Sequence, residues 1–478
     1  MTGIIFRLTV LLFVIGGIPP GGSGWAQEGP TPTGNGAIFF HPDGTSAAHW
    51  DATRLRYAGP DSLLHWDRLP VVAPYRGHLS DQLAGTSNAG AVAHATGTRP
   101  YSETFGLDPS GKEYRSANGT RRTVMEEAVK AGLKTALVQT GSLIEPGTAA
   151  FVAEASHRAA YEEIALKLVN SGVDVILGGG EKWLLPEGTQ GRFGEGARTD
   201  GRNLIRRLKE KGHTIAYTRE DLMSVPPGTT KVFGVFASGH TFRDQTEEEL
   251  QASGSSLYLE SAPTVAEMTS FALSRVARGS GGFFAVIEEE GSDNICNQMN
   301  ASGCLHAMKR ADEAISEIRR FIDAHPETFM LTTSDSNANG MQVISVEGDR
   351  PVPAFDPESG APMDGIRGSG TSPFSSAPNA QGEQFSFAIS WAHSGDVGSG
   401  VLARAAGLNA REKVPATGLS NVDVYRTLYE TLFGTATLPA SIDSGPAQSN
   451  RMEMALAEIC SQVSYFSELQ SKRQRFSA

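Results

Sequence analysis

The chain has 478 residues, 39% of them hydrophobic and 20% charged, with a formal net charge of −12. Such values describe a globular chain, long enough for two or three average domains or for one large α/β domain with insertions. No basic run exceeds two residues, which speaks against nucleic-acid binding, since phosphate backbones require clustered Lys and Arg.

Residues 1–26 have the pattern of a secretory signal. Arg7 supplies the positive start, Leu8–Ile18 the apolar stretch and Gly24-Trp25-Ala26 a small-residue cleavage site. The apolar stretch is too short to span a bilayer comfortably. The expectation is an exported protein, periplasmic or secreted, with no stable membrane span. Three cysteines are present, Cys296, Cys304 and Cys460. In an exported chain Cys296 and Cys304 would close a short loop and leave Cys460 unpaired, but spacing does not choose among the pairs.

From Gly36 onward, short apolar runs alternate with helical patterns. Strands are predicted at Ala37–Phe40, Thr135–Gln139, Val173–Leu177, Lys231–Phe236, Gly282–Ile287, Phe329–Thr333 and Phe385–Trp391. Helices are predicted at Thr123–Ala131, Arg158–Asn170, Thr199–Lys211, Thr264–Ala277 and Ala311–Ala324, the first three each closed by a nearby glycine. This alternation predicts an α/β fold, a mostly parallel central sheet with helices on both faces. Residues 27–436 form the expected catalytic domain. Glu347–Glu383, rich in Gly, Pro and Ser, reads as a surface insertion within it, and residues 437–478 as a linker and helical tail.

In open α/β sheets ligands bind beyond the carboxyl ends of the strands. Ala37–Phe40 runs into His41-Pro42-Asp43-Gly44, Gly282–Ile287 into Glu288 to Asp293, Phe329–Thr333 into Ser334-Asp335, and Phe385–Trp391 into Ala392-His393. Each of these alone is an ordinary turn, a solvated charge run or a surface side chain. Carboxylates gathered at three strand ends, with a histidine at a fourth, repel one another unless a cation holds them. The small-residue segment Gly85 to Gly97 fits a helix packed closely on a sheet, with Ser87 at its N-terminus, where free N–H groups favour a phosphate. It contains no GxSxG elbow, and no GxxxxGK[ST] loop occurs in the chain.

These segments resemble the alkaline phosphatases, in order, from about Gly36 to Gly434. Ser87 to Gly97 looks like the nucleophile helix, and Val173 to Gly180 is similar to the mid-chain strand and turn. Pro263 to Thr269 leads at family-like spacing to Gly282-Phe283-Phe284, His393-Ser394-Gly395 resembles the late His-Thr-Gly, and Asn421 to Tyr425 the start of the final helix. The resemblance implies a metal-dependent phosphomonoester hydrolase acting through a phosphoserine on Ser87, with Arg158 gripping the phosphate. It places Asp43 between two metals, Asp335 beside it at the metal that activates Ser87, and Asp293 and His393 at the second. Glu288 and Glu145 fall at a third site, usually magnesium. Two such cations about 4 Å apart stabilise the entering and leaving oxygens of an in-line displacement.

The chain also departs from that pattern. Asn297 and Ser336 stand where the family has metal-binding histidines, and Thr86 where it has an Asp before the nucleophile. The usual Thr ligand falls at Gly147 or Thr148. Oxygen donors therefore dominate, which weakens or replaces zinc dependence in favour of Mg²⁺, Ca²⁺ or Mn²⁺. Two rival readings follow from the same residues: a phosphodiesterase of the same superfamily, and a pseudoenzyme that binds phosphate or metal without turnover. A sulfatase lacks support, because Ser87-Asn88-Ala89-Gly90-Ala91 has neither the Pro nor the Arg such a site requires. The family is commonly dimeric, which makes a homodimer the expectation.

Overall fold

The computed structural model describes residues 30–279 and 281–437; the expected signal segment, Cys460 and the tail lie outside the described residues. Within them, fourteen strands follow in chain order. They are β1 Gly36–Pro42, β2 Val71–Arg76, β3 Lys134–Ser142, β4 Val175–Gly179, β5 Thr214–Ala216, β6 Val232–Val235, β7 Phe283–Glu289, β8 Thr328–Thr332, β9 Met341–Ser345, β10 Met363–Asp364, β11 Phe374–Ser375, β12 Ser386–Trp391, β13 Leu402–Gly407 and β14 Leu419–Ser420.

Ten of them form the central sheet in the order β14-β2-β13-β8-β1-β7-β3-β4-β6-β5. From β8 to β5 every pairing is parallel; β13 runs antiparallel to both of its neighbours. Alternation along β1 shows how both faces are covered. Ala37 and Phe39 join the core beneath helices Ser87–Thr96, Val124–Lys130, Tyr161–Asn170 and Asn421–Phe433. Ile38 and Phe40 face helices Val265–Val276 and Ala301–Ala324 on the other side. A strand buried on both faces must be apolar throughout, which is why β1, β7 and β8 read as continuous apolar runs.

Two expectations are corrected by the fold. Phe385–Trp391 does form a strand, but β12 belongs to a second, four-stranded antiparallel sheet with β9, β10 and β11. A short apolar run reports burial and not which sheet buries it. The 347–383 segment is also not only surface: it supplies β10 and β11 and buries Val352, Met363 and Phe374.

Cys296 and Cys304 are bonded to each other. The bridge ties the short helix Gly291–Asn297 to the long helix Ala301–Ala324, both ends lying in one apolar cluster with Trp391 and Phe374. Closing so small a loop, eight residues of separation, stabilises by about 2.5 kcal/mol in the chain-entropy description. Replacing both cysteines by serine should cost at least that much in denaturant unfolding. An unchanged unfolding midpoint would show that the bridge constrains nothing.

Candidate active site

Strand order gathers the acids. In register, His41 of β1 lies opposite Glu288 of β7, and Phe40 lies opposite Thr332 of β8. Asp43, Glu288 to Asp293, and Asp335 therefore leave three adjacent strands at one carboxyl edge. All are buried: Asp43 and Glu288 are 0% exposed, Asp335 1% and Asp293 5%. Gly44 has a φ of +66° and lies against Asp293, where an added Cβ would come within 2.4 Å of Oδ1. Only glycine supplies both that backbone and that closeness.

Ser87 is the first residue of the helix Ser87–Thr96, and Gly97, in the left-handed region, ends it. The chain on either side of Ser87 lies on Asp335. A Cβ on Gly85 would meet Asp335 O at 2.3 Å, and one on Gly90 would meet Asp335 Cβ at 2.4 Å and Oδ2 at 2.8 Å. The helix N-terminus thus sits directly over this carboxylate.

Arg158 is exposed and reaches the same edge. Its Nη2 lies 3.2 Å from Glu145 Oε2. Partial loss of water around the guanidinium disfavours its charge, but Glu145, Glu290, Asp293 and Asp43 outweigh this and raise its pKa. Thr86, in place of the family's Asp, bonds instead to Ser102 O, and Glu145 is the carboxylate that restrains the guanidinium. Glu288 sits on Gly147, where a Cβ would come within 1.7 Å of Oε1. Thr148, fully buried, accepts from Gln139 Nε2 at 2.8 Å.

Asn297 donates to Asp293 Oδ1 at 3.0 Å and to Asp396 Oδ1 at 3.2 Å. Its side-chain Oδ1 and Ser336 Oγ are buried without hydrogen-bond partners among the described residues. Among the described residues no hydrogen bond joins the His393 ring to these side chains. His393 is exposed, and its ring bonds to Gly395 O at 3.3 Å. Its strand belongs to the antiparallel sheet, and Asp396, three residues on, takes the place beside Asp293, Asn297 and Ser336.

Three more residues join the site that strand ends and family resemblance do not single out. His41 is fully buried, with Nδ1 3.2 Å from Glu288 Oε1 and Nε2 3.7 Å from both Asp43 Oδ1 and Asp335 Oδ1. Glu290 joins Asp43 and Glu288, each offering an oxygen within 4.8 Å of the others. Asp396 is the third. The available signal for His41 is its place: the last residue but one of β1, on the face of Ala37 and Phe39, with Asp43 just past the strand end.

A cluster of this kind is costly without a counter-charge. Among the described residues, Asp43 Oδ2, Glu288 Oε2, Glu290 Oε2 and both oxygens of Asp335 are buried with no hydrogen-bond partner. These orphaned oxygens fit divalent cations, which satisfy carboxylates directly. Burial pushes Asp43, Glu290 and Asp293 well above the ordinary carboxylate range, and neighbouring carboxylates add to it. Burial also raises Glu289 to about 7. For His41 burial opposes the charge, but the adjacent carboxylates of Asp335 and Glu288 prevail and hold it at about 9. In Asp335 burial is outweighed by its close neighbours Asp43 and His41, and its pKa is lowered.

The signs combine simply for metal-free protein. A carboxyl raised in the fold contributes stability that is complete below its unfolded pKa of about 4 and is lost as pH rises through the folded value. His41 contributes below 6.5, and that contribution is lost through about 9. Asp335, being lowered, adds nothing that varies above about pH 4. Chelated protein should therefore lose Tm steadily from about pH 5 to 9, and metal-loaded protein should not. A flat profile in chelated protein would mean the carboxylates are not packed together.

Among the described residues no helix is long and apolar enough to cross a membrane. The family model described as alkaline phosphatase matches residues 36–356. Among curated relatives, Escherichia coli (strain K12) alkaline phosphatase is 24% identical over 337 residues, covering 62% of this chain and 69% of that protein. The repressible alkaline phosphatase of Saccharomyces cerevisiae is 26% identical over 327 residues, covering 64% of this chain and 55% of the relative. Bacillus subtilis alkaline phosphatase 4 is matched over 50% of its length. Of solved structures, Thermus thermophilus alkaline phosphatase superposes with a TM-score of 0.66 at 20% identity, covering 89% of this chain and 97% of that one. The enzyme from the Antarctic bacterium TAB5 gives 0.62 at 18%, covering 84% and 98%. The structural likeness establishes the fold. The matched segment carries Asp43, Ser87, Arg158, Glu288, Asp293 and Asp335 together, and by it the chain belongs to the alkaline phosphatase family.

Proposed function

We propose that the protein is an exported, metal-dependent phosphomonoester hydrolase that works through a phosphoserine on Ser87. One observation carries the reading: buried carboxylates with unpartnered oxygens converge beneath the helix N-terminus that holds Ser87.

Asp43 and Asp335 would hold a cation beside Ser87, and Asp293, Asn297 and Asp396 a second. Asp43, Glu288 and Glu290 offer an all-oxygen third set suited to Mg²⁺. A solved TAB5 alkaline phosphatase mutant, similar to this chain with a TM-score of 0.63 at 18% identity, has Mg bound in the M3 site, which supports such a third position. Bound cations would lower the pKa of the Ser87 hydroxyl and balance charge on the reacting phosphate. Ser87 Oγ forms a bond to phosphorus as the bond to the leaving oxygen breaks, and the hydroxyl proton passes through solvent to that oxygen, which departs as the alcohol. Water then attacks phosphorus, releasing inorganic phosphate and restoring the hydroxyl. Arg158 holds two phosphate oxygens through its planar fork, and Glu145 keeps the guanidinium pointed inward. The free N–H groups at the start of the helix orient the anion.

The test is hydrolysis of a chromogenic phosphomonoester beside its diester, after chelation and re-addition of single metals. Turnover of the monoester restored by Mg²⁺, Mn²⁺ or Zn²⁺ is expected. Faster diester turnover would reassign the substrate, and phosphate binding without turnover would make the protein a pseudoenzyme.

A further inference from the structure

We propose that His41 Nε2 is the nitrogen ligand of the cation held by Asp43 and Asp335, standing in for the imidazole the family carries where this chain has Ser336. The inference rests on the metal-dependent reading above and deepens it.

His41 is fully buried and its Nε2 has no hydrogen-bond partner among the described residues. At 3.7 Å from Asp43 Oδ1 and 3.7 Å from Asp335 Oδ1, it is too far for a hydrogen bond to either. The spacing is close to the roughly 3.3–3.5 Å that separates ligands around a tetrahedral cation bound at about 2.0–2.1 Å. Glu288 Oε1, 3.2 Å from Nδ1, accepts the N–H on that side. A cation displacing the Nε2 proton would leave the ring with its N–H on Nδ1 and a lone pair on Nε2, the arrangement in which metal-binding histidines are usually held. The ring is also held in place, stacked on Phe39 with centroids 5.7 Å apart and met edge-on by His94 at 5.5 Å. Two carboxylates and an oriented imidazole thus offer ligand atoms within 4.8 Å of one another.

The consequence is chemical asymmetry. The set His41, Asp43 and Asp335 includes nitrogen and suits Zn²⁺, whereas Asp293, Asn297 and Asp396 offer only oxygen and suit Mg²⁺, Ca²⁺ or Mn²⁺. The two lost family histidines are therefore not equivalent: the strand compensates one, and a carboxylate the other.

The experiment uses the full chain, stripped of metal and given one equivalent of Zn²⁺, with X-ray absorption at the zinc edge and zinc affinity by chelator competition. One imidazole in the zinc shell is expected. It should be kept in His393→Ala and lost in His41→Ala, with affinity falling at least about 100-fold. A zinc shell of oxygen alone in the unmodified protein would overturn the proposal, as would an imidazole that His41→Ala keeps and His393→Ala loses. The unmodified protein decides the first of these outcomes, so the proposal can fail even where a variant does not fold. Turnover is not the readout, so the two readings fail separately: zinc on His41 without hydrolysis removes only the function, and an active enzyme with no imidazole on zinc removes only this assignment.

Discussion

Ser87→Ala is expected to abolish the phosphoenzyme and to lower kcat/KM for a phosphomonoester by at least about a thousandfold, with almost no loss of stability. Ser87 Oγ makes no hydrogen bond to another described residue, although the side chain is only 6% exposed and sits in the first turn of a ten-residue helix. Removing it leaves no orphaned partner, so the unfolding free energy should change by less than about 0.5 kcal/mol. The cations, Arg158 and the helix N-terminus remain in the variant, which should keep its affinity for inorganic phosphate. Acid-quenched mass mapping and calorimetry read both halves. A variant that still hydrolyses at the parent rate would remove Ser87 from the mechanism.

Asp43→Asn should have opposite effects with and without metal. Asp43 is the residue common to the His41–Asp43–Asp335 and Asp43–Glu288–Glu290 groups, so its loss weakens two cation positions together. Metal content should fall and turnover should drop by at least about a thousandfold, because the developing charge loses its stabilisation. In chelated protein at about pH 8 the same change removes the cost of burying this carboxyl among Asp335, Asp293 and Glu290 and should raise the Tm above that of chelated parent. In metal-loaded protein it should lower the Tm, because a ligand that binds only the folded state is weakened. A substitution that lowers both melting temperatures would mean that Asp43 is an ordinary structural carboxylate.

Much of this site is legible in the sequence because strand ends are. Asp43, Glu288, Asp293 and Asp335 each follow an apolar run, and Ser87 opens a segment of small residues suited to a helix pressed closely against a sheet. What linear reading lacks is neighbourhood. The order β8-β1-β7-β3 brings those ends together, and no periodicity encodes strand order. β2 escapes notice because Pro74 counts against a strand, yet it pairs with β13 and β14. β13 escapes because Leu402–Gly407 is mostly small residues. His393 stands out through family resemblance and follows a strand of the other sheet; Asp396, three residues on, accepts from Asn297 and no motif marks it. His41 looks like one more residue of a buried strand, and only its place at the strand end beside Asp43 hints otherwise.

Anomalous diffraction from metal-loaded crystals tests the metal-centred reading most directly. One cation is predicted within coordinating distance of Asp43 and Asp335, and another between Asp293, Asn297 and Asp396, both facing Ser87. Catalytically active crystals whose carboxylate cluster holds no metal, or cations bound only elsewhere on the surface, would contradict it.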